Sequence, residues 1–567
     1  MVTYEFHRPL AWCRFLFRDV LFSGPPATDT RPCRYSLLLL LVLPGVLLYP
    51  TRSFHLLEPD EGRYAQIPKE MLDSGSWIVP TLQGEPYLDK PPLLYWLVAI
   101  SYWLGGVSPD VARLVPAVCV HLTILAVYGI GRRSLGERAA LWAALLLTVA
   151  PGFMCVARLL LLDGLLTLCV TVSVLCGFEA VRTGTFQPRW WLAAALASGL
   201  GFLTKGPISE VLLFVPLWMF AYLAGSSAVR TTLTPNGTNP SPPTATDSGI
   251  EHPPTNSTPN RSNPVPVNPP LVWYMIFLAV VLAVNVPWYV AIYLHQPHFL
   301  KYFFWEHNVL RFLQPFDHLQ PVWYYAPILV GGLFPGTIFL AVYVWQLLRG
   351  ELSGRPSLAG GFWLLAGGWC VVFFSCSGSK LPTYILPAYP FLCLAIGEFM
   401  ARTRWNTAFG PRGLIGAMAA IVGFAHFVAI PWYAQERSPV GKPELLERYV
   451  TDPNVPVVCF PRNCDSVAFY FNRSDLKSVR TKNINQLMVD CHHRPQTVIL
   501  FTHRDSLAGF RNTLPPSLKI VATATLKRKG RGGLLEKLTG STPWGLCDIA
   551  VVVPLYQVPP PPTDGAE

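Results

Sequence analysis

The stretch Pro91-Pro-Leu-Leu-Tyr-Trp-Leu-Val-Ala-Ile-Ser-Tyr-Trp-Leu-Gly-Gly-Val107 decides how this chain is laid out, because every segment after it changes sides according to whether it crosses a membrane. It is apolar, but two prolines lead it, Ser101 and Gly105–Gly106 interrupt it, and Ser108-Pro109-Asp110 closes it. These features predict an interfacial or half-buried helix rather than a span. Outward from it, apolar segments of spanning length lie near 35–50, 111–131, 139–156, 164–181, 190–204, 207–225, 271–294, 323–348, 359–376, 382–400 and 412–433. Segments of about twenty apolar residues match the hydrocarbon thickness of a bilayer, so the chain reads as an α-helical polytopic membrane protein with about 11–13 transmembrane helices.

Composition agrees. Of 567 residues, 51% are hydrophobic and only 14% charged, with a mean hydropathy of +0.36. That balance excludes a disordered chain, a coiled coil and a disulfide scaffold. The formal charge of +11 reads first as topology, since basic residues collect on cytoplasmic loops. Thirteen cysteines are present, most of them inside apolar runs, where they act as small membrane-core residues.

The N-terminal tail, 1–33, is too long and polar for a cleavable signal, and Tyr35–Tyr49 behaves as a signal anchor preceded by Arg14, Arg18, Arg31 and Arg34. With that tail cytoplasmic, the basic loops at 131–138, 182–189, 226–270, 349–355 and 402–412 all fall inside, as the positive-inside rule requires. Counting 91–107 as a full span would put them outside. The extracytoplasmic face then receives the first loop, 51–110, the turns at Asp163 and Lys205, 294–322, Ser377–Lys380, and all residues after Tyr433. This topology places the chain in the inner (plasma) membrane with its working face periplasmic.

The transmembrane domain is expected over 34–433. Within it, 226–270 is dense in Pro, Thr, Asn and Ser and cannot form a core, which predicts a disordered cytoplasmic loop whose glycosylation-type triplets at Asn236, Asn256 and Asn260 carry no chemistry. After Tyr433 the pattern changes to β-rich runs, Val455–Phe460, Thr497–Thr502, Lys519–Leu526 and Asp548–Tyr556, with helical stretches at Pro443–Tyr449 and Asn483–Cys491. A small extracytoplasmic α/β domain over 434–567 with a disordered tail fits. Cys459 and Cys464 would then lie in an oxidising compartment, and Cys491-His492-His493 beside them has the wrong spacing for a tight zinc finger. The basic run Lys527–Arg531 reads as a solvated turn.

The residues with chemistry gather on the expected outer face. They are Glu58-Pro-Asp-Glu-Gly-Arg-Tyr64, Tyr87-Leu-Asp-Lys-Pro-Pro92, Arg158 with Asp163, Thr204-Lys205-Gly206, Glu306-His307 with Arg311, His318-Leu-Gln320 with Trp323–Tyr325, and Ser379-Lys-Leu-Pro-Thr-Tyr384. Singly, each has a bland reading as a helix cap, a snorkelling lysine or an aromatic belt. Headgroup anchors would distribute over both faces; acids, Arg, Lys, Tyr and His on one face point to a phosphate-binding, acid/base site. Arginine and lysine orient a phosphodiester, and a carboxylate takes a proton from an acceptor hydroxyl or holds a cation. Asp60 and Asp163, each at the end of a span, best suit the base role.

Asp60-Glu-Gly-Arg-Tyr-Ala, Asp89-Lys-Pro-Pro-Leu-Leu-Tyr-Trp, Phe202-Leu-Thr-Lys-Gly-Pro and Ser379-Lys-Leu-Pro-Thr-Tyr-Ile-Leu-Pro together resemble the bacterial aminoarabinose transferases. Those enzymes belong, with the protein O-mannosyltransferases, to the C-type glycosyltransferases, which use polyprenyl-phosphate sugars. The resemblance spans 35–433 in order. It implies catalytic acids at Asp60 and Asp163, and donor-phosphate contacts from Arg63, Tyr64, Lys90, Lys205, Arg311, Lys380 and Tyr384. It further implies a divalent metal at Asp89, Glu306 and His307, where the family has a longer acid and a histidine pair; this more oxygen-rich set suits Mg or Mn as well as Zn. The alternative is that Asp89 and Glu306 pair with Lys90 and Arg311.

The expected function is transfer of a sugar, aminoarabinose or another pentose or a hexose, from an undecaprenyl-phosphate-type donor to lipid A, another glycolipid, a glycan or a protein. Neither a Gly-rich phosphate loop nor a nucleotide-binding domain is evident in the sequence, consistent with a lipid-linked donor and no nucleotide. The competing reading is a transporter or flippase of a lipid-linked sugar, which would place ionisable residues at mid-membrane on repeated, broken helices.

Overall fold

The computed structural model describes residues 33–556 apart from 234–265, 311–312, 315–317, 350–355, 404–408, 439, 441–442, 479–483, 503–505 and 526–547. The N-terminal tail to residue 32, most of the 226–270 insert, Arg311, Lys527–Arg531 and the end of the chain therefore lie outside the described residues.

A helix covers every apolar run named above: α1 (Arg34–Leu48), α2 (Asp60–Ser74) in the first loop, α3 (Leu93–Gly105), α4 (Leu114–Leu135), α5 (Glu137–Val149), α6 (Leu162–Val181), α7 (Pro188–Lys205), α8 (Ile208–Leu233), α9 (Leu271–His295), α10 (Tyr325–Gly332), α11 (Gly336–Leu348), α12 (Leu358–Cys376), α13 (Ala388–Arg402) and α14 (Phe409–Phe424). Among the described residues, Pro109–Leu135, Leu162–Val181, Leu271–His295, Leu358–Cys376 and Gly410–Gln435 are long and apolar enough to cross a membrane singly; the other runs are helical but shorter or more polar. Helix α3 has 13 residues, about 20 Å, too short for the hydrocarbon core. It buries Leu94, Tyr95, Val98 and Tyr102 while leaving Ile100, Trp103 and Leu104 exposed.

Two expectations are corrected. The run 323–348 is not one straight helix: its halves, Val322–Gly332 and Gly336–Leu348, are bent by 116°. Pro335 lacks an N–H and blocks continuation across the break. The insert also starts later than its composition suggested, because α8 runs on to Leu233 before leaving the described residues, and Val267 at the far end returns to donate to the Val181 carbonyl.

The helices pack by small residues. A methyl on Gly397 would stand 2.3 Å from the Ala139 carbonyl, so α13 and α5 meet backbone to backbone there. Helices α6 and α7 are antiparallel neighbours, and α9 covers α7. A cavity of about 430 Å³ lined by Trp191, Phe214, Trp218 and Tyr274 lies at the Val181 end of α6, the end opposite Asp163.

The first loop carries α2 and a two-stranded antiparallel hairpin, β1 (Thr81–Leu82) and β2 (Glu85–Pro86). The C-terminal domain has five strands, β3 (Val457–Phe460), β4 (Lys477–Ser478), β5 (Thr497–Phe501), β6 (Leu518–Thr525) and β7 (Asp548–Pro554), in the order β4-β3-β5-β7-β6. β3 is parallel to both β4 and β5, while β7 runs antiparallel to its neighbours. The fully buried apolar strands β3 and β5 form the middle of the sheet, as expected where helices cover both faces. Helices α15 (Pro443–Val450), α16 (Asp465–Tyr470), α17 (Ile484–His492) and α18 (Ser506–Asn512) complete it. Cys459 and Cys464 are buried free thiols.

Candidate active site

Helix α2 begins at Asp60, and the rotation of about 100° between successive helical residues sends its first two carboxylates in different directions. Glu61 turns inward and is 2% exposed. There it receives Arg113 Nε at 2.9 Å and Nη2 at 2.7 Å, together with the backbone N–H groups of Leu160 and Leu57. Burial alone would raise the Glu61 carboxyl, but the Arg113 guanidinium outweighs it and holds the group below the usual carboxylate range. This pair anchors the first loop to the start of α4, and the Leu160 N–H ties it to the segment that leads into α6.

Asp60 faces the other way, with 45% of its side chain open. Arg63, one turn on, brings Nη1 to 3.6 Å from Asp60 Oδ1 and donates to the Tyr87 hydroxyl at 3.5 Å. Partial burial, reinforced by the negative charge of Asp163, raises the Asp60 carboxyl above its ordinary value against the pull of Arg63, His318 and Lys90. A carboxylate so raised is a stronger base.

Asp163 is the second residue of α6 and Lys205 the last of α7, so the antiparallel pairing of these helices brings the two together. Lys205 Nζ lies 2.6 Å from Asp163 Oδ1 and 4.4 Å from the centre of the Tyr384 ring. Lys90 Nζ lies 2.6 Å from His307 Nε2, and Asp89 Oδ1 accepts from the Tyr302 hydroxyl at 2.6 Å. Despite burial, that bond and the nearby cations hold the Asp89 carboxyl low. Tyr302 and His307 both sit on a π-helical turn, Lys301–Leu310.

The structure thus gathers Asp60, Arg63, Lys90, Asp163, Lys205, His307, His318 and Tyr384 from seven separate segments at one end of the helices. Below them, Tyr64, Tyr87 and Tyr95 form a buried aromatic floor, with ring centroids 6.0 and 6.5 Å from Tyr95. Tyr64, expected to contact phosphate, is 6% exposed and belongs to this floor.

Other expectations are corrected by geometry. Lys380 is 3% exposed, and its ammonium donates to the carbonyls of Gln320 and Ser377, so it ties two loops together instead of presenting a cation. Arg158 does not pair with Asp163; it is buried against Thr51, to whose hydroxyl it donates at 2.8 Å, and against the Phe54 ring. Among the described residues, no three His, Cys, Asp or Glu side chains converge as a metal site. Glu306 is exposed, His307 Nε2 faces an ammonium, and Asp89 is held by a tyrosine, so the Asp89, Glu306 and His307 set does not fit a divalent ion as arranged. Sequence reasoning passed over Arg113, which has no motif around it, and Tyr302, which lies one helical turn from His307.

Residues 89–237 match the family described as dolichyl-phosphate-mannose-protein mannosyltransferase. The chain is 31% identical over 416 residues to the undecaprenyl phosphate-alpha-4-amino-4-deoxy-L-arabinose arabinosyl transferase of Edwardsiella ictaluri, covering 70% of this chain and 65% of that one. It is 30% identical over 447 residues to arabinosyl transferase 2 of Pseudomonas fluorescens, covering 75% and 67%. The chain thus spans about two thirds of the length of these curated relatives. Its fold is similar to that of ArnT from Cupriavidus metallidurans bound to undecaprenyl phosphate, with a TM-score of 0.67 at 19% identity over 93% of this chain and 99% of that one.

Proposed function

The chain belongs to the family of the undecaprenyl-phosphate aminoarabinose transferases, and from that premise we propose that it moves a sugar from a polyprenyl-phosphate donor to an acceptor on the extracytoplasmic face of the inner membrane. The observation that carries the proposal is the single face on which the open carboxylate of Asp60 stands among Arg63, Lys90 and the Asp163–Lys205 pair.

In this reading, Arg63 and Lys90 bind the donor phosphate, and Lys205 lies within reach of it beside Tyr384. Asp60 accepts the proton of the acceptor hydroxyl as the oxygen attacks the anomeric carbon. The bond from that carbon to the phosphate oxygen breaks, and the cations stabilise the charge that develops on the departing polyprenyl phosphate. Asp163, paired with Lys205, orients that lysine, and its negative charge deepens the basicity of Asp60. Fixing both substrates against the helices supplies much of the rate. The basic loops listed above favour an extracytoplasmic site. Lipid A, another glycolipid and a protein are the acceptors of suitable chemistry, each presenting a hydroxyl or phosphate oxygen at that face.

The ionisable residues sit at helix ends instead of mid-membrane, which favours transfer over lipid-linked sugar transport. Reconstituted protein given a panel of polyprenyl-phosphate sugars and a total lipid extract is expected to release bare polyprenyl phosphate from one donor. Movement of labelled donor between leaflets with no release from any would contradict the proposal.

A further inference from the structure

The C-terminal domain touches the first loop at a point that bears on Arg63. The start of α16 is pressed against α2 so closely that a methyl on Gly62 would stand 2.6 Å from the Ser466 backbone nitrogen and 2.9 Å from a Glu58 carboxylate oxygen. Only glycine at 62 permits this approach. At the contact, the Asp465 side chain is 0% exposed. Its Oδ1 accepts from Gln83 Nε2 at 2.7 Å, and its Oδ2 lies 3.8 Å from Arg63 Nε. The neighbouring Ser466 N–H donates to Glu58 Oε1 at 2.6 Å. Around this centre, Lys69 donates to the Phe469 carbonyl, Leu56 N–H donates to the Tyr470 hydroxyl, and Phe469 is buried among the apolar residues of the first loop.

Arg63 is therefore flanked by carboxylates on two edges: Nε lies in ion-pair range of Asp465 in the C-terminal domain at 3.8 Å, longer than a hydrogen bond, and Nη1 faces Asp60 and Tyr87 in the site. A free arginine side chain samples many rotamers, whereas one with a buried carboxylate beside Nε is biased to present its far edge in one orientation. Glu58 adds a second buried carboxyl to the contact, and burial followed by the charge of Asp465 pushes it up to about 8.

We propose that Asp465 is a positioning residue for Arg63, so that the C-terminal domain completes the donor-phosphate site by seating on the first loop. This rests on the reading of Arg63 as a phosphate contact.

The test is the affinity of the full-length protein for polyprenyl phosphate, measured in detergent for wild type, Asp465→Asn, Arg63→Gln and the double variant. Asn matches Asp in shape and keeps an oxygen for Gln83. Asp465→Asn is expected to weaken phosphate binding about tenfold in the presence of Arg63 and to change nothing in the Arg63→Gln background. A merely structural role would give equal losses in both backgrounds and would overturn the proposal, as would unchanged affinity in Asp465→Asn. If that variant does not fold, Gly62→Ala takes its place in the same cycle, since it displaces α16 while keeping both charges; unchanged affinity there also overturns the proposal. Failure of the wild type to bind polyprenyl phosphate would overturn the transferase reading itself and this inference with it.

Discussion

Replacing Glu61 by glutamine is expected to destabilise the protein by about 3–5 kcal/mol, although the change removes no volume. Arg113 is 0% exposed and donates to both Glu61 oxygens and to the carbonyls of Arg52 at 2.9 Å, Phe54 at 2.6 Å and His55 at 3.1 Å. Its guanidinium carbon lies 3.5 Å from the centre of the Phe54 ring. Every donor is satisfied, so the intact pair roughly offsets its own desolvation. Neutralising one partner leaves a cation buried without its counter-charge, and that imbalance is the source of the cost. The assay is thermal unfolding in detergent, where for a chain of this length a loss of this size lowers Tm by about 3–4 °C. Glu61→Gln combined with Arg113→Met removes both charges and is expected to recover most of the loss. A Tm within about 1 °C of wild type for the single variant, or a double variant as unstable as the sum of its parts, would refute the reasoning. Because Glu61 fixes the start of α2, the single variant is also expected to lose transfer with Asp60 intact.

Three further outcomes follow from the geometry. Lys205→Met leaves the Asp163 carboxylate without its ammonium and is expected to lower both Tm and kcat/KM; adding Asp163→Asn restores the Tm but not the rate, and recovery of the rate would remove this pair from the site. Glu58, raised to about 8 by burial and then by Asp465, binds its proton more tightly in the folded than in the unfolded protein. Its contribution is therefore full below the ordinary glutamate value and is lost as pH rises through about 8, a slope that Glu58→Gln flattens in pH-dependent melting. Thorough chelation is expected to leave transfer intact, since His307 faces Lys90 and Glu306 points to solvent; loss of activity restored by one added metal would contradict that geometry.

Local patterns were legible because they depend on local physics. The apolar runs became helices, and the limits of β3, β5, β6 and β7 fall within a few residues of the β-rich runs, since side-chain periodicity reports burial directly. The short, Pro-led α3 was readable from its interruptions. The bend at Pro335 was hidden by an unbroken apolar run, because hydropathy does not register a lost backbone donor. In the site, Asp60, Arg63, Lys90, Asp163, Lys205 and Tyr384 were legible from their places at span ends. Lys380 and Arg158 carry the same sequence signal, but a lysine that ties carbonyls and one that faces a cavity differ only in tertiary placement. Arg113 and Asp465 act through partners 52 and 402 residues away respectively, Glu61 and Arg63, and no local pattern encodes such pairings.

The most direct test of the central claim is release of bare polyprenyl phosphate, followed by mass spectrometry, from vesicles containing wild type or Asp60→Asn. The substitution keeps the shape of the side chain and removes the charge that accepts the proton. Release by the wild type that disappears in the variant, with Tm unchanged, is the predicted result. Near-normal release by Asp60→Asn would contradict the account.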